Sequence, residues 1–291
     1  MNDGRSYIAS DGTRLRLHEW SPESESRAGL LLIHGVGEHG ARYDTFARGL
    51  AGRGIHVFGF DHRGHGRSDG PRVHVDRWDR YLADARELTG HVSSRVPDVP
   101  LFVYGHSMGA LICLGLAIAA GQQAVASPPT TETPKVRGWI VSGTGIQPTG
   151  IAKPHLVAIA RLLSGVLPRL SLDLGVAAET LSHDPEVVSA YSADPLVQKR
   201  ASVRWGTEAL DAIDFIKQHA GAIADPLLVI HGEDDPLARA DGSRWLADVV
   251  AGATLIIYAG ALHEPHNDPT VATVSADVAD WIEAHGERAD T

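Results

Sequence analysis

Short apolar runs recur along the chain, and longer segments with helical periodicity separate them. The runs lack the alternation of a half-exposed strand, so they predict strands buried on both faces. They are Leu30–Ile33, Ile55–Phe60, Leu101–Tyr104, Trp139–Val141, Leu227–Ile230 and Thr254–Tyr258. The helical patterns are Tyr43–Gly52, Trp78–Val96, Met108–Ala120, Val203–His219, Ser243–Ala251 and Val271–Ala284. This alternation predicts an α/β fold, in which helices cover both faces of a mostly parallel sheet.

Three segments depart from this alternation. The chain begins with Ser6–Ala9 and Thr13–Trp20, which flank an Asp-Gly turn and predict a β-hairpin. Residues 145–200 carry five prolines and several helical patches without a strand pattern, and predict a helical cap over the strand ends. We therefore predict an α/β core formed by residues 1–144 and 201–291, with residues 145–200 as the cap. The stretch Ala126–Lys135, rich in Ser, Thr and Pro, predicts a solvated loop.

Composition narrows the range of functions. Of the 291 residues, 43% are hydrophobic and 21% are charged, as expected of a folded globular protein. A net charge of −10 disfavours a nucleic-acid partner, which would require a basic face. The single cysteine, Cys113, excludes an internal disulfide and a cysteine-rich metal site. Residues Met1–Ser10 lack the apolar core of a signal peptide, and no apolar stretch has the length of a membrane span, so we expect a cytoplasmic protein.

A candidate nucleophile lies at Ser107. Residues Gly105–Gly109 match G-x-S-x-G, the pattern of a sharp strand-to-helix turn that exposes a reactive serine. Residues Gly66–Gly70 match the same pattern around Ser68, so the pattern alone does not identify the nucleophile. Ser107 follows an apolar strand and precedes a helical run, whereas Ser68 follows a polar loop and precedes a proline. We therefore predict that Ser107 is the nucleophile and that Ser68 is a loop residue.

A serine nucleophile requires a base, and in hydrolases with this turn the acid and the histidine follow the serine in the chain. His263 comes shortly after the last predicted strand and is the best candidate base, with His266 as its alternative. Asp235 follows the preceding strand and is favoured as the orienting acid, because Pro236 restrains it to an extended backbone. Asp234 is the alternative acid, and both aspartates can also simply solvate a turn.

The glycine-rich loop His34–His39 follows the first buried strand. In hydrolases with this serine turn, one oxyanion donor comes from such a loop and the other is the amide after the nucleophile. We therefore predict an oxyanion hole formed by the backbone N–H groups of Val36 and Met108. The loop has neither the G-x-G-x-x-G spacing nor a Walker lysine, so a nucleotide site is disfavoured.

Several motifs together resemble the monoacylglycerol lipase and lysophospholipase family of serine α/β-hydrolases. They are His34–His39 with Arg42-Tyr43, Phe60–Gly70, the serine pentapeptide and the segment Leu181–Val197, and the resemblance covers most of the chain. Ala110 stands where a third glycine is common in that family. The resemblance implies an α/β-hydrolase fold, a triad of Ser107, Asp235 and His263, and an apolar cap that admits an acyl chain. Chemistry of this kind requires no metal or organic cofactor.

The same resemblance suggests roles for further residues. Glu38 and Arg42 would lie near the polar end of the pocket and Tyr191 near the glycerol-binding region. An equally good explanation is that Glu38 and Arg42 have a purely structural role and brace the oxyanion loop. His106 is better explained as a hydrogen-bonded neighbour of the nucleophile than as a catalyst. Asp61 and Arg63 are better explained as loop-stabilising partners.

The predicted cap contains an apolar stripe at helical spacing. Its members are Leu156, Ile159, Leu163, Val166 and Leu167. Such a stripe can pack on the core, which is the default, or it can serve as the acyl-chain entrance or as a lipid-contact patch. Ile159 and Leu163 are its candidate substrate contacts.

We therefore expect a serine carboxylic-ester hydrolase that releases a fatty acid and glycerol from monoacylglycerols. The alternatives are a lysophospholipase or general carboxylesterase on the same scaffold and, from another class, a non-catalytic ligand-binding protein. Dehalogenases and epoxide hydrolases of this fold place aspartate at the serine position, which disfavours them. The expected partners are a small lipid ester and, transiently, a lipid surface. Residue patterns do not determine the oligomeric state.

Overall fold

The computed structural model describes residues 6–126, 135–149 and 154–286. Eight strands of these residues form one sheet. They are β1 (Ser6–Ile8), β2 (Arg14–Trp20), β3 (Ala28–Ile33), β4 (Ile55–Phe60), β5 (Leu101–His106), β6 (Val136–Ser142), β9 (Leu227–Gly232) and β10 (Thr254–Tyr258). The spatial order is β1-β2-β4-β3-β5-β6-β9-β10. Six neighbouring strands run parallel to one another, namely β4, β3, β5, β6, β9 and β10. Strand β2 pairs antiparallel with both β1 and β4.

Helices cover both faces of this sheet. The helices of the described residues are α1 (Asp44–Ala51), α2 (Asp79–Arg95), α3 (Met108–Ala126), α4 (Pro154–Val166), α5 (Pro185–Ala193), α6 (Val203–His219), α7 (Ala240–Val249) and α8 (Val271–Gly286), of which α4 and α5 belong to the segment 145–200 and do not pack on the sheet. All six residues of β3 are buried. Leu31 and Ile33 pack in one core cluster with residues of α2, α3 and α6. Leu30 and Leu32 point the other way and pack with residues of α1 and α8. A strand buried on both faces cannot show an alternating pattern, which explains the continuous apolar runs.

The predicted α/β fold is confirmed. Every predicted strand and helix of the core is present, with most ends within three residues of the prediction. The predicted hairpin is confirmed as well, and Gly12 in its turn has a φ of 85°, which favours glycine. The run that begins at Met108 forms a helix that extends to Ala126, and its first three turns, Met108–Ile118, are buried all round.

Residues 145–200 contain helices, but the expectation that they lack strands is wrong. Strand β7 (Ser171–Asp173) pairs antiparallel with β8 (Arg200–Ser202) outside the main sheet. Three residues are too few to produce a recognisable apolar pattern, and a partner almost 30 positions away along the chain creates the strand. The predicted loop Ala126–Lys135 lies mostly outside the described residues, as do residues 1–5 of the N-terminal segment.

Parallel strands bring the chemistry to one edge of the sheet. The residues that follow β3, β5, β9 and β10 all emerge from carboxyl ends, and carboxyl ends of parallel strands lie on the same edge. This edge therefore gathers the loop His34–His39, Ser107, Asp235 and His263.

Candidate active site

Ser107 occupies a strained turn between β5 and α3. Its φ is 53°, a left-handed conformation that residues with a side chain rarely adopt. The flanking glycines permit the close approaches of this turn. A Cβ on Gly105 would lie 2.2 Å from the Gly109 carbonyl oxygen, and a Cβ on Gly109 would lie 2.1 Å from the Ile33 carbonyl oxygen. Both glycines are therefore required by backbone contact, and the turn presents Ser107 at the edge of the sheet.

Ser68, which shares the G-x-S-x-G pattern, is a loop residue as predicted. Its hydroxyl is buried, donates a hydrogen bond to the Asp61 carbonyl at 2.6 Å and accepts one from the Arg16 N–H at 2.8 Å. The Asp61 carboxylate in turn accepts hydrogen bonds from the Gly40 and Arg67 N–H groups. These contacts hold loops together and leave the hydroxyl committed to the backbone.

Asp235 and His263 meet at the ends of the adjacent strands β9 and β10. The His263 Nδ1 atom lies 2.6 Å from Asp235 Oδ2, and both side chains are buried. A carboxylate can only accept, so His263 Nδ1 carries the hydrogen and Nε2 has a free lone pair. Asp234, the alternative acid, is exposed. The structure thus brings together the favoured acid and the favoured base.

Charge explains how this pair is tuned. Burial alone would raise the pKa of Asp235, but the neighbouring His263 charge and the hydrogen bonds that the carboxylate accepts lower that pKa below its usual range. Burial alone would lower the pKa of His263, but the Asp235 charge and hydrogen bond raise it above its usual value. Asp235 therefore stays ionised and stabilises a proton on His263.

His266, the alternative base, has a different environment. Its ring stacks on Tyr43 with centroids 4.4 Å apart, and its Nδ1 lies 3.4 Å from the Tyr104 hydroxyl. Burial lowers the pKa of His266 to about 3. The buried His106 ring lies 4.8 Å from the His263 ring and 4.6 Å from the His266 ring. His106 therefore packs against the candidate base, and His266 packs against His106.

The loop after β3 lies against the nucleophile. A Cβ on Gly35 would lie 3.4 Å from the Ser107 Cβ, and the Gly35 N–H donates to the Glu38 carboxylate at 2.7 Å. Val36 is the next residue in this loop. Met108 is the first residue of α3, where a helix leaves its amides without an intrahelical acceptor. The predicted oxyanion donors therefore belong to two segments that flank Ser107, and their role stays a prediction.

Glu38 and Arg42 belong to a buried cluster that sequence reasoning did not complete. Arg42 binds Glu38 and forms two hydrogen bonds of 2.7 Å with Glu264, and all three side chains are less than 10% exposed. The Arg42 guanidinium also lies 4.7 Å from the centre of the Tyr191 ring, on α5. These contacts are those of a brace between the oxyanion loop, the His263 loop and the cap. Glu264 was missed, and its only sequence signal is its position next to His263.

The carboxylates of this cluster have opposite shifts. Burial raises the pKa of Glu38. Burial alone would raise the pKa of Glu264 too, but the charge and paired hydrogen bonds of Arg42 lower it to about 2. Ligand atoms of Glu38, His106 and Glu264 lie within 4.8 Å of one another, as in a metal site. Arg42 already binds both carboxylates, so a guanidinium supplies the charge that a metal ion would bring.

The apolar stripe of the predicted cap is exposed along much of α4. Ile159 is 52% exposed and Val166 is 70% exposed, and Leu163 is half-buried. Leu162, which the predicted stripe did not include, is also 70% exposed. The default expectation of full packing against the core is therefore wrong for most of this stripe. Among the described residues, no helix is both long enough and apolar enough to cross a membrane.

The chain is similar to known proteins over most of its length. The family model described as serine aminopeptidase S33 matches residues 24–270. The chain is 35% identical to a monoacylglycerol lipase of Mycolicibacterium smegmatis over 96% of both chains. Among solved structures, it resembles a soluble variant of monoglyceride lipase from Saccharomyces cerevisiae in complex with a substrate analog, with a TM-score of 0.84 and 25% identity over 98% of this chain and 96% of that one. A monoacylglycerol lipase of Paleococcus ferrophilus gives a TM-score of 0.79 and 28% identity over 94% and 99%.

Proposed function

Because the chain belongs to the monoacylglycerol lipase family of serine α/β-hydrolases, we propose that it hydrolyses monoacylglycerols with Ser107, His263 and Asp235 as its catalytic triad. The observation that carries this proposal is the 2.6 Å hydrogen bond between His263 and Asp235, at the sheet edge where Ser107 occupies its strained turn. Ester hydrolysis through an acyl-enzyme requires only these three side chains and two oxyanion donors.

The reaction begins when Ser107 Oγ attacks the ester carbonyl and His263 Nε2 accepts the hydroxyl proton. Asp235 holds the His263 ring in the tautomer that leaves Nε2 free and stabilises the imidazolium. The N–H groups of Val36 and Met108 bind the oxyanion that develops on the substrate. His263 then protonates the departing glycerol oxygen, and a water molecule repeats the sequence to release the fatty acid from Ser107.

The segment 145–200 serves as the cap over this site. Its helix α4 carries the exposed apolar side chains, among them Ile159 and Val166, and α5 places Tyr191 beside Arg42. An exposed apolar row on a cap is suited to receive an acyl chain or to touch a lipid surface transiently. Ile159 and Leu163 are the proposed acyl contacts. The cytoplasmic location stays a prediction.

Labelling and turnover test the proposal together. A fluorophosphonate probe should label the wild-type protein, and Ser107→Ala should abolish labelling and reduce kcat for a monoacylglycerol by about 10⁶-fold. The matched control is Ser68→Ala, which should keep most of the activity. A substrate panel of monoacyl, diacyl and triacyl glycerols with a lysophospholipid then decides between the candidate activities. A folded wild-type protein that does not label would favour the non-catalytic alternative, and a preference for the lysophospholipid would favour a lysophospholipase.

A further inference from the structure

His231 lies directly behind the proposed catalytic acid. It belongs to the end of β9 and is completely buried. Its Nε2 atom is 3.0 Å from Asp235 Oδ2 and 3.0 Å from the Ala238 carbonyl oxygen. A carboxylate oxygen and a carbonyl oxygen can only accept hydrogen bonds, so Nε2 must carry a hydrogen. His231 therefore donates to the same carboxylate oxygen that accepts from His263.

The other ring nitrogen of His231 is fixed by two hydroxyl groups. Its Nδ1 atom lies 2.7 Å from Ser243 Oγ, which lies 2.8 Å from Thr144 Oγ1, and both hydroxyl residues are completely buried. In a neutral ring with its hydrogen on Nε2, Nδ1 accepts, so the Ser243 hydroxyl donates to it and the Thr144 hydroxyl donates to Ser243. The hydrogen bonds thus run in one direction from Thr144 to Asp235.

The Asp235 carboxylate is saturated by this arrangement. Oδ2 accepts from His263 and His231, and Oδ1 accepts from the N–H groups of Leu237 and Ala238 at 2.8 and 3.0 Å. An ionised carboxylate offers about four acceptor sites, and all are occupied. A carboxylate held by four donors cannot rotate without losing hydrogen bonds in a buried site, where an unpaired partner is costly.

We propose that His231 is a positioning residue for the hydrolytic reaction: its Nε2–H group holds the Asp235 carboxylate ionised and aimed at His263. The inference rests on the proposed function, since it assigns a role within that triad. The Thr144–Ser243 hydroxyl pair keeps the donor side of the His231 ring on Asp235. Through Asp235, His231 sets how strongly His263 holds a proton, without touching the substrate.

Removal of the His231 donor should alter His263 in a predictable direction. The Asp235 oxygen would then share its charge with one donor fewer, so it would stabilise the protonated His263 more strongly. The other titratable or charged groups around His263 are His106 at the end of β5, Glu38 from the oxyanion loop, Glu264 and His266 from its own loop, and Arg42, which binds both glutamates. These groups stay unchanged in a His231 variant, so a shift would report on His231.

The test compares His231→Leu, which has no donor, with His231→Gln, whose side-chain amide can place a donor near the position of Nε2. His231→Leu should reduce kcat by about 10- to 100-fold with KM nearly unchanged, and should move the acid limb of kcat/KM up by about half to one pH unit. His231→Gln should restore most of both. Loss of kcat in both variants with an unmoved acid limb would overturn the proposal and leave His231 a packing residue. Unchanged kinetics in a folded His231→Leu protein would overturn it too.

A measurement on the wild-type protein keeps the inference testable if the variants do not fold. Nitrogen-15 NMR of histidine-labelled protein should show His231 with its hydrogen on Nε2, and a hydrogen on Nδ1 would overturn the inference. This readout needs no substrate, so it stands apart from the proposed function, which fails if wild-type protein neither labels nor turns over an ester.

Discussion

The backbone at Ser107 is held at a φ of 53°, a conformation that costs a side-chain residue about 1–3 kcal/mol. The turn persists because β5 and α3 fix both of its ends and because Gly105 and Gly109 allow their close contacts. At the same edge of the sheet, Asp235 and His263 are buried and share a short hydrogen bond. Single residues at this edge therefore carry both the backbone strain and the buried charge of the site.

At this scale the pH dependence of the reaction follows from His263. The base must be neutral to accept the Ser107 proton, and Asp235 raises the pKa of His263 above its usual value of 6.5. Activity should therefore fall as the pH decreases through a value above 6.5. The measurement is kcat/KM for a non-ionising ester between pH 5 and 9. An acid limb below pH 6, or a flat profile, would contradict this assignment.

At the scale of secondary-structure elements, the strand–turn–helix unit of β5 and α3 positions the proposed nucleophile, Ser107. In its tight turn Gly105 and Gly109 pack directly against backbone carbonyl groups, so there is no room for a side chain at either position. Helix α4 is the opposite case, because its apolar side chains are mostly exposed. These two elements should respond to substitution in opposite ways.

Gly109→Ala tests the tight turn. The added methyl would meet the Ile33 carbonyl oxygen at 2.1 Å, so the backbone must shift and unfolding free energy should fall by about 1–3 kcal/mol, with a large loss of activity. Gly206→Ala in α6 is the matched control, since nothing lies within 4 Å of its added methyl. It should keep activity and gain up to about 1 kcal/mol. Denaturant unfolding and ester turnover measure both, and equal tolerance at the two positions would refute the packing argument.

Ile159→Ser tests whether α4 receives the acyl chain. Ile159 is half-exposed, so the melting temperature should hardly change. Loss of contact with one or two methylenes costs about 0.8 kcal/mol each, so kcat/KM for a long-chain monoacylglycerol should fall by about 4- to 15-fold. Turnover of a short, water-soluble ester should survive. The control is Phe215→Ser, an exposed apolar residue on α6 outside the cap. A fall of equal size for both esters, or an unchanged long-chain value, would place the acyl site elsewhere.

The elements also show which features are readable from sequence. A strand such as β10 can be predicted from a local apolar run. Because the carboxyl ends of parallel strands share an edge of the sheet, the residues that follow β9 and β10, Asp235 and His263, can then be predicted to lie close together. Partnerships such as that of Arg42 with Glu264 join residues 222 positions apart, and no local pattern encodes them. His231 was not predicted for a related reason: it lies near the end of an apolar strand, and its hydrogen bonds form only when the loop after β9 and helix α7 fold back against that strand.

At the scale of the whole molecule, several histidines are buried in the folded protein. His34, the first residue of the oxyanion loop, packs together with His62 and His65, with ring centroids 4.3 to 5.8 Å apart. Burial lowers the pKa of His62 to about 3 and that of His65 to about 4. His106 and His266 are also buried, and burial lowers the pKa of each. In mild acid these histidines therefore bind protons in the unfolded chain but not in the folded chain.

Stability should consequently decrease in mild acid. Above pH 6.5 these histidines are neutral in both states; below it the unfolded state binds protons and the native state does not. Each group can remove up to about 1.4 kcal/mol per pH unit until its native pKa is reached. Denaturant unfolding at pH 7.5, 6.0 and 5.0 measures the slope. His65→Asn, whose amide can keep the hydrogen bond to the Arg63 carbonyl, should make the slope shallower. An identical slope in this variant would exclude His65 as a contributor.

The buried cluster of Glu38, Arg42 and Glu264 constrains how this sequence can vary among descendants. Replacing Arg42 leaves two buried carboxylates without a counter-charge, which costs about 3–5 kcal/mol, comparable to a large part of a typical domain's stability, whereas replacing one carboxylate leaves the other still paired with Arg42. Replacing all three together by apolar groups of matched volume avoids that penalty. Substitutions at Glu38 or Glu264 should therefore be accepted only while the other carboxylate remains to pair with Arg42, although the two carboxylates lie in opposite halves of the chain. Descendants of this protein should therefore inherit the buried charge of Arg42 together with that of at least one partner carboxylate.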